Sequence, residues 1–534
     1  MRRSWVTFSS FFLGQLAHKG YHRASCFSIQ CGSRFICQKS DNSHGQSLSY
    51  VTFRSELRID FFCCGHTPDV PRDITKMSND KREGKFLPEE NCISYEELKK
   101  HSTYSDAWVA INDVVYDITD YIPKHPFGDT FRGSLGTDCS GLFSSAHVRT
   151  NVEKLITNET FLKNNGIKVV GHLDVTQDYL HKDSKNKYLD RIVYKKLDND
   201  EFWLELKTKV HEYLVENNES THYSVFEGTM YLLYYSTIFA LLAYFTWVNG
   251  SVLSAILLGF HMVCVSAGMS HIVAHFGFTK NKLLNFVALH LMDLGGYSCL
   301  EWQISHQTHH HQPHSSIDYQ TNQYPPIRIH QYVKHHSLHK YQYIYFWIGI
   351  LAYHFRIFPA SIVWLIKNRE FLRYKYELIA HIFSKAIFLS PVIYSVYLHG
   401  IWNTLFLFAT YSVYYSLFAF LLLYNDHEEN HNVLALSEDI NPCHKKLSWA
   451  ETQVRTSGNW YPTNWILSFV EFHYGYFNYH IEHHLFPSFK PSLLKKVSPI
   501  VKRVCEKYDI PYISTTFIEV HQSFQRHITK MGLS

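Results

Sequence analysis

The sequence predicts a mainly α fold, in which a small α+β domain precedes an all-α transmembrane helical domain with a cytosolic cap. Several apolar runs approach the ~20 residues that cross a bilayer, and only 18% of the 534 residues are charged, against about 25% in soluble domains. The 36 histidines are concentrated in residues 261–354 and 427–484, and clustered imidazoles indicate a metal site. A formal net charge of +4 makes no case for nucleic acid as a partner.

The composition divides the chain into five segments. Met1–Ser40 has no acidic residue but has basic residues and many serines, which is typical of a disordered or targeting segment. The eleven cysteines form no CxxC pair, which predicts reduced thiols. We predict an N-terminal extension over 1–86, a small domain over 87–174, a linker with an amphipathic helix over 175–227, the membrane domain over 228–520 and a C-terminal tail over 521–534.

The small domain begins with the pattern of a β-hairpin. Ala107–Ile111 and Val114–Ile118 are strand-like runs, and Asn112-Asp113 between them is a turn signal. Helical segments follow, with His125 in one and His147 after another. Two imidazoles on separate segments could clamp a flat cofactor from both sides. Bis-imidazole ligation leaves a haem iron no open position, which favours electron transfer over oxygen chemistry.

The membrane domain contains two candidate helical hairpins, each broken at a glycine. The first pair is Thr229–Val248 and Ser251–Met269, and the second is Leu378–Leu398 and Ile401–Tyr424. Leu283–Tyr297 and Ile344–Ile366 contain His or Arg and are predicted as interfacial or partly buried helices. Each hairpin returns the chain to its starting side. The linker, the loop between the hairpins and the tail therefore share one face.

Three histidine groups lie on that face. Residues three or four apart share one side of a helix, so the imidazoles of each group can reach one metal. Eight nitrogen ligands exceed the four of a zinc site and suit two redox-active metals such as iron. We predict these residues as catalytic metal ligands: His271 and His275 in an HxxxH group, His306, His309 and His310 in one HxxHH group, and His480, His483 and His484 in a second.

The remaining histidines are assigned one by one. His427 ends the last apolar run and is predicted as a ninth metal ligand, with His431 as its competitor. His311 and His314 extend the second group and are predicted as flanking polar residues. His261 and His290 lie within apolar runs, where a hydrogen-bonded buried histidine is expected.

With these motifs in place, residues about 88–172 resemble a cytochrome b5 domain, and residues about 225–520 resemble a membrane fatty-acid desaturase. The whole is similar to the front-end desaturases, a cytochrome b5-fusion family; Trp302, Trp449, Gln453 and the run Ile481–Pro487 fit that pattern. The resemblance implies that His125 and His147 bind haem b and that the three histidine groups bind the two Fe ions of a di-iron centre. It also implies an O2-dependent enzyme that inserts a cis double bond into a fatty acyl chain.

The same resemblance implies the partners and the location. The lipid substrate lies in the membrane, and an NADH–cytochrome b5 reductase supplies electrons. We expect a multi-pass protein of the endoplasmic reticulum, with the haem domain and the histidine groups on the cytosolic side; organellar targeting by the extension is the alternative. Three positions depart from the family pattern: Phe127 replaces a glycine after the first haem histidine, Ile272 replaces an acid, and His480 replaces a glutamine.

Three other functions use some of the same features. A desaturase of sphingolipid long-chain bases or a lipid hydroxylase would have the same histidine groups. A non-catalytic haem electron carrier would not need all eight of these histidines. A zinc hydrolase would need a glutamate in an HExxH arrangement, and the HIVAH at 271–275 has none.

Overall fold

The computed structural model describes ten stretches of the chain. The N-terminal extension lies outside them, as do residues 175–193 of the expected linker. Within the described residues the five cysteines are free thiols, as predicted. The described stretches are 91–125, 129–149, 152–174, 194–275, 278–311, 327–329, 334–369, 372, 375–423 and 447–534.

The small domain is built on a five-stranded sheet. In spatial order its strands are Cys92–Ile93, Lys168–Leu173, Val114–Asp117, Asp106–Ile111 and Ser102–Thr103. The predicted hairpin is confirmed: Asn112 and Asp113 join two antiparallel strands with φ of 50° and 66°, a left-handed turn that these residue types tolerate. Short helices complete the domain over Tyr95–Leu98, Ile122–Lys124, Asp129–Ser134, Ser140–Ala146, Glu153–Ile156 and Glu159–Asn165.

Both predicted apolar hairpins are present in the membrane domain. In the first, Val225–Trp247 is followed by Val252–Cys264, which continues as the π-helix Val265–Ser270 and the helix His271–Ala274. In the second, Lys375–Leu423 (the long helix) is broken at Gly400, where φ is 77° and ψ is 165°. Three helices in the described part of the chain are long and apolar enough to cross a membrane, or up to five if each bent pair below is one span.

Two helix pairs are sharply bent. Lys282–Leu294 meets Cys299–His311 at 100°, with Gly296 at φ 98° in the turn between them. Cys299–His311 carries the second histidine group and is called the second-box helix. The expected single helix over Ile344–Ile366 is wrong, because Gln342–Leu351 and Tyr353–Lys367 lie at 65° to each other. At that bend the His354 amide donates to Ser416 Oγ at 2.9 Å, so the long helix anchors the second arm.

The remaining helices form a cap beside the small domain. The predicted amphipathic helix is confirmed as Glu201–Glu216, and its Trp203, Leu206 and Val210 belong to one apolar core with Val497 and Val501. The last helix passes without a break through residue 520, where the expected membrane domain ends. The other elements are Leu197–Asn199, His339–Tyr341, Trp449–Arg455, Asn459–Tyr461, Trp465–His473, His480–Leu485 (the third-box helix), Pro491–Lys507, Ser514–Thr516 and Phe517–Leu533.

Candidate metal centre and cofactor site

The eight histidines predicted as metal ligands lie on three helical segments that converge in the interior. His271 begins the helix that follows the π-helix Val265–Ser270, and His275 caps its C-terminal end. π-Helical turns are frequent at functional sites. The second-box helix carries three of the histidines and the third-box helix carries the other three. Every one of the eight side chains is at most 4% exposed.

Five of these imidazoles form one compact group. Their nearest ring nitrogens lie within 4.8 Å of one another. The Nε2 of His306 is 2.7 Å from His271 Nε2 and 3.1 Å from His310 Nε2, and His310 Nε2 is 3.0 Å from His483 Nε2. Ligands at right angles around a metal with bonds of about 2.0–2.1 Å lie roughly 2.9 Å apart. The spacing of His271, His275, His306, His310 and His483 therefore fits one metal ion.

The other three histidines form a second group beside the first. His484 Nε2 lies 2.9 Å from His480 Nε2, and the ring centroids of His309 and His484 are 5.1 Å apart. The two groups adjoin where the rings of His310 and His484 lie 4.3 Å apart. The eight side chains thus form two adjoining groups, of which the five-histidine group has the spacing of ligands to one metal ion.

Hydrogen bonds on the far side of two imidazole rings select the tautomer that a metal ligand requires. His271 Nδ1 lies 3.2 Å from the Ala267 carbonyl and His484 Nδ1 lies 2.7 Å from Gln453 Oε1. Each Nδ1–H donates there, so that Nε2 presents its lone pair to the centre. Burial, followed by the neighbouring His271 and His275, holds the pKa of His483 well below its usual range. The imidazole is therefore neutral, as a ligand must be.

Other histidines fall as predicted or outside the described residues. His427, His431 and His314 lie outside them. The buried structural role of His261 is confirmed, since its Nε2 donates to the Tyr235 carbonyl at 2.9 Å. His311 is in neither group and lies against the small domain, with Nε2 2.9 Å from Ser134 Oγ.

His290 also has the predicted structural role. With Asp293 and Cys299 it forms a second buried group that could hold a metal. Asp293 already accepts hydrogen bonds from His290 Nδ1 at 2.6 Å and from the Cys299 amide at 2.9 Å. The Lys385 ammonium donates to the Asp293 carbonyl at 2.9 Å. Since these contacts satisfy the carboxylate and place a positive charge beside it, we interpret the group as a polar anchor for the helix bend.

In the small domain, His125 and His147 face each other as predicted. Their ring centroids are 6.5 Å apart, and two imidazoles on opposite sides of one iron with bonds of about 2 Å have centroids roughly 6.3 Å apart. His147 Nδ1 donates to the Phe143 carbonyl at 2.7 Å, which directs the Nε2 lone pair to the ligand position. Burial, followed by His147 and Lys282, lowers the pKa of His125 to about 3. Phe127 lies outside the described residues.

The small domain packs directly on the second-box helix, a contact that the sequence pattern does not predict. The Gly133 amide donates to Gln307 Oε1 at 2.7 Å, and Arg132 forms a buried ion pair with Glu377 at the start of the long helix. A Cβ at Gly133 would lie 2.3 Å from Gln307 Cβ, so only glycine permits this approach. The sequence carries no local signal for these contacts, because the partners are more than 170 residues apart.

Comparisons with known proteins agree with this architecture. The family described as fatty acid desaturase matches residues 245–516, and the cytochrome b5-like haem/steroid binding domain matches residues 94–165. The acyl-lipid (8-3)-desaturase of Physcomitrium patens is 25% identical over 87% of this chain and 96% of its own. A probable Delta(5) fatty acid desaturase C of Dictyostelium discoideum is 23% identical, and the acyl-lipid (8-3)-desaturase of Mortierella alpina is 24% identical; both are covered over 97% of their length. No solved structure matches the chain.

Proposed function

The chain belongs to the fatty acid desaturase family with a cytochrome b5 domain fused to it, and we propose that it carries out front-end desaturation of polyunsaturated fatty acyl chains. The observation that carries the proposal is the convergence of all eight histidines of three distant segments into two adjoining groups. Relatives matched over nearly their whole length are named as acyl-lipid (8-3)- and Delta(5)-desaturases. The substrate is therefore an acyl lipid whose new cis double bond lies toward the carboxyl end.

The family implies iron and haem, and the donor sets fit both. Two Fe ions would be held by the five-histidine group and by His309, His480 and His484. His427 remains a proposed ninth ligand. Haem b would be held by His125 and His147. When bound, the irons supply the O2-dependent oxidation of an unactivated C–H bond, and the haem supplies the electrons.

The protein's own contribution is to hold these ligands in place and to keep water out. Trp302 and Phe477 lie against His271, with ring centroids 4.9 and 4.5 Å away, and cover that side of the site. Gln307 Nε2 donates to the Ala274 carbonyl at 2.9 Å, which fixes the helix end that carries His275. An oriented acyl chain then reacts at the carbons that its binding register places nearest the irons.

Glu482 orients the third-box helix from its far side. Its carboxyl accepts from Tyr512 Oη and Asn459 Nδ2, both at 2.8 Å. Burial raises the pKa of Glu482 to about 7. The adjacent Ile481 amide donates to Asn459 Oδ1 at 2.9 Å, so one asparagine holds two consecutive residues of the ligand-bearing helix. Ile272, which replaces the family's acid, packs in the apolar core.

Location and electron supply follow from the same proposal. The protein is a multi-pass membrane protein of the endoplasmic reticulum with the haem domain and the histidine groups facing the cytosol, and the N-terminal extension leaves organellar targeting as the alternative. An NADH–cytochrome b5 reductase, a flavin enzyme, reduces the haem. The two apolar hairpins support a common face for the cap and the small domain.

The test is expression in yeast fed with candidate polyunsaturated acids, followed by gas chromatography–mass spectrometry of fatty acids and long-chain bases. His483→Ala removes a ligand, and His172→Ala removes an exposed histidine of the small domain as a control. A new cis double bond that requires His483 but not His172 is expected. A double bond in a long-chain base or a hydroxylated product would replace the proposed substrate or reaction with one of the alternatives. The absence of iron from the purified protein would refute the proposed di-iron centre.

A further inference from the structure

The helix that leads to His147 touches a buried tryptophan of the cap. Gly141 lies in the helix Ser140–Ala146, and a Cβ built on it would be 2.3 Å from Trp449 Cδ2 and 2.5 Å from two other indole carbons. The helix backbone is thus in direct contact with the face of the indole. Trp449 is 2% exposed, so no water layer separates the two domains at this point.

The same indole is hydrogen-bonded to the histidine centre. Trp449 Nε1 donates to the His310 carbonyl at 3.1 Å, and Gln453 Nε2 donates to the same oxygen at 2.9 Å. Gln453 Oε1 accepts from His484 Nδ1 at 2.7 Å. His310 belongs to the five-histidine group and His484 to the other group. The helix Trp449–Arg455 is therefore hydrogen-bonded to one member of each histidine group.

The path is continuous from the haem side as well. The hydrogen bond from His147 Nδ1 to the Phe143 carbonyl joins the proposed haem ligand to the helix backbone two residues from Gly141. From there the only through-space step is the contact of Gly141 with the indole. The path ends at the peptide unit of a proposed iron ligand.

We propose that Trp449 is the residue through which electrons pass from the haem domain to the iron centre, and that Gly141 is required because only glycine allows the contact. The inference rests on the proposed function. Each transfer moves one electron: a ferrous haem iron becomes ferric, and a ferric iron of the histidine centre becomes ferrous. A flavin reductase restores the ferrous haem, and no proton changes place at the indole.

A second contact between the domains provides the competing route. Gly133 donates to Gln307 Oε1, and Gln307 Nε2 donates to the Ala274 carbonyl next to His275. This route crosses two side-chain hydrogen bonds and contains no aromatic ring. The Trp449 route crosses one through-space contact, from Gly141 to the indole, and one hydrogen bond, from Trp449 Nε1 to the His310 carbonyl. Its delocalised ring favours it.

The test measures haem oxidation in the full-length, haem- and iron-loaded protein in detergent. The haem is reduced anaerobically, the protein is mixed with O2 and acyl substrate in a stopped-flow instrument, and the haem absorbance is followed. We expect Trp449→Leu and Gly141→Ala to slow haem oxidation by about tenfold or more, equivalent to at least ~1.4 kcal/mol in activation free energy. Trp449→Phe, which keeps a ring but loses the N–H donor, should be intermediate.

Two controls separate electron transfer from a structural effect. Gly349→Ala is the same substitution at a glycine whose Cβ would have no neighbour within 4 Å, and it should leave the rate unchanged. Iron content, and single-turnover product after direct chemical reduction of the iron centre, should remain at wild-type levels in Gly141→Ala.

The outcomes are distinct. Wild-type haem oxidation in Trp449→Leu and Gly141→Ala would overturn the proposal, as would a slow rate in Gln307→Leu alone. If both Trp449→Leu and Gly141→Ala lost iron as well as rapid haem oxidation, the contact would have a structural role, and that result would also overturn the proposal. Failure of the chemically reduced wild-type protein to make any lipid product would instead contradict the proposed function.

Discussion

The buried ion pair between Arg132 and Glu377 should hold the haem domain on the membrane domain. Arg132 is 5% exposed and Glu377 is 4% exposed, and Arg132 Nε also donates to Tyr104 Oη at 2.9 Å. Arg132→Met would leave the Glu377 carboxylate buried without its cation, which costs about 3–5 kcal/mol. Replacing both residues with methionine removes both charges, and such replacements are often close to neutral. The single variant should therefore be much worse than the double variant.

Hydrogen–deuterium exchange with mass spectrometry measures this docking free energy directly. The Gly133 amide donates across the interface to Gln307, so it exchanges when the domains separate. A loss of about 3–5 kcal/mol accelerates that exchange by roughly a hundredfold to a few thousandfold. A peptide from Val114–Asp117, inside the sheet of the haem domain, is the internal control and should exchange at its original rate. Unchanged exchange at Gly133 in Arg132→Met, or equally fast exchange in the double variant, would refute the reasoning.

Three further predictions concern other parts of the molecule. Gln453→Leu leaves His484 Nδ1–H without its acceptor. The affinity of the protein for iron should fall about 10–100-fold, and the iron content of purified protein after treatment with a chelator checks this. Gly400→Ala has open space for its Cβ but φ of 77°, so backbone strain alone should destabilise the protein by about 1 kcal/mol or more, seen as a lower melting temperature. In the haem-free protein the folded-state pKa of His125 is about 3, so the unfolded state takes up more protons below pH 6.5. Its stability should therefore fall with decreasing pH by at most ~1.4 kcal/mol per unit, and His125→Gln should flatten that slope in thermal melts.

The features predicted from sequence are those encoded by short segments. Asn112-Asp113 specify their turn by their own tolerance of positive φ. The two apolar hairpins follow from run length, and Gly400 marks the break in the second. The spacing within each histidine group is that of a helix face, so each group could be recognised without its partners. The haem pair was predicted because two histidines on separate segments could clamp a flat cofactor, although their 6.5 Å separation was not predicted.

The bends and the domain interface depend on residues that are distant in sequence. The run Ile344–Ile366 has the composition of a single helix, but the structure bends it, and at the bend the His354 amide donates to Ser416 of the long helix. The hydropathy of the sequence cannot predict that hydrogen bond. Similarly, nothing in the segment around Gly133 distinguishes it from other glycines of the chain. The need for glycine at this position becomes apparent only in the folded structure, where a Cβ on residue 133 would lie 2.3 Å from Gln307 Cβ.

The interface also explains why fusion of the two domains suits this enzyme. A separate electron donor would have to find the histidine centre by diffusion for each electron, with an encounter that charge or concentration could limit. Here the docked arrangement places Gly141 against Trp449, so the donor is at a high effective concentration and its orientation is set by packing. The same packing covers part of the small domain, so the proposed reductase would reach the haem from the side away from the cap. Substitutions on that exposed side should change the rate of haem reduction but leave the rate of haem oxidation by the iron centre unchanged, which the same stopped-flow experiment resolves as two separate phases.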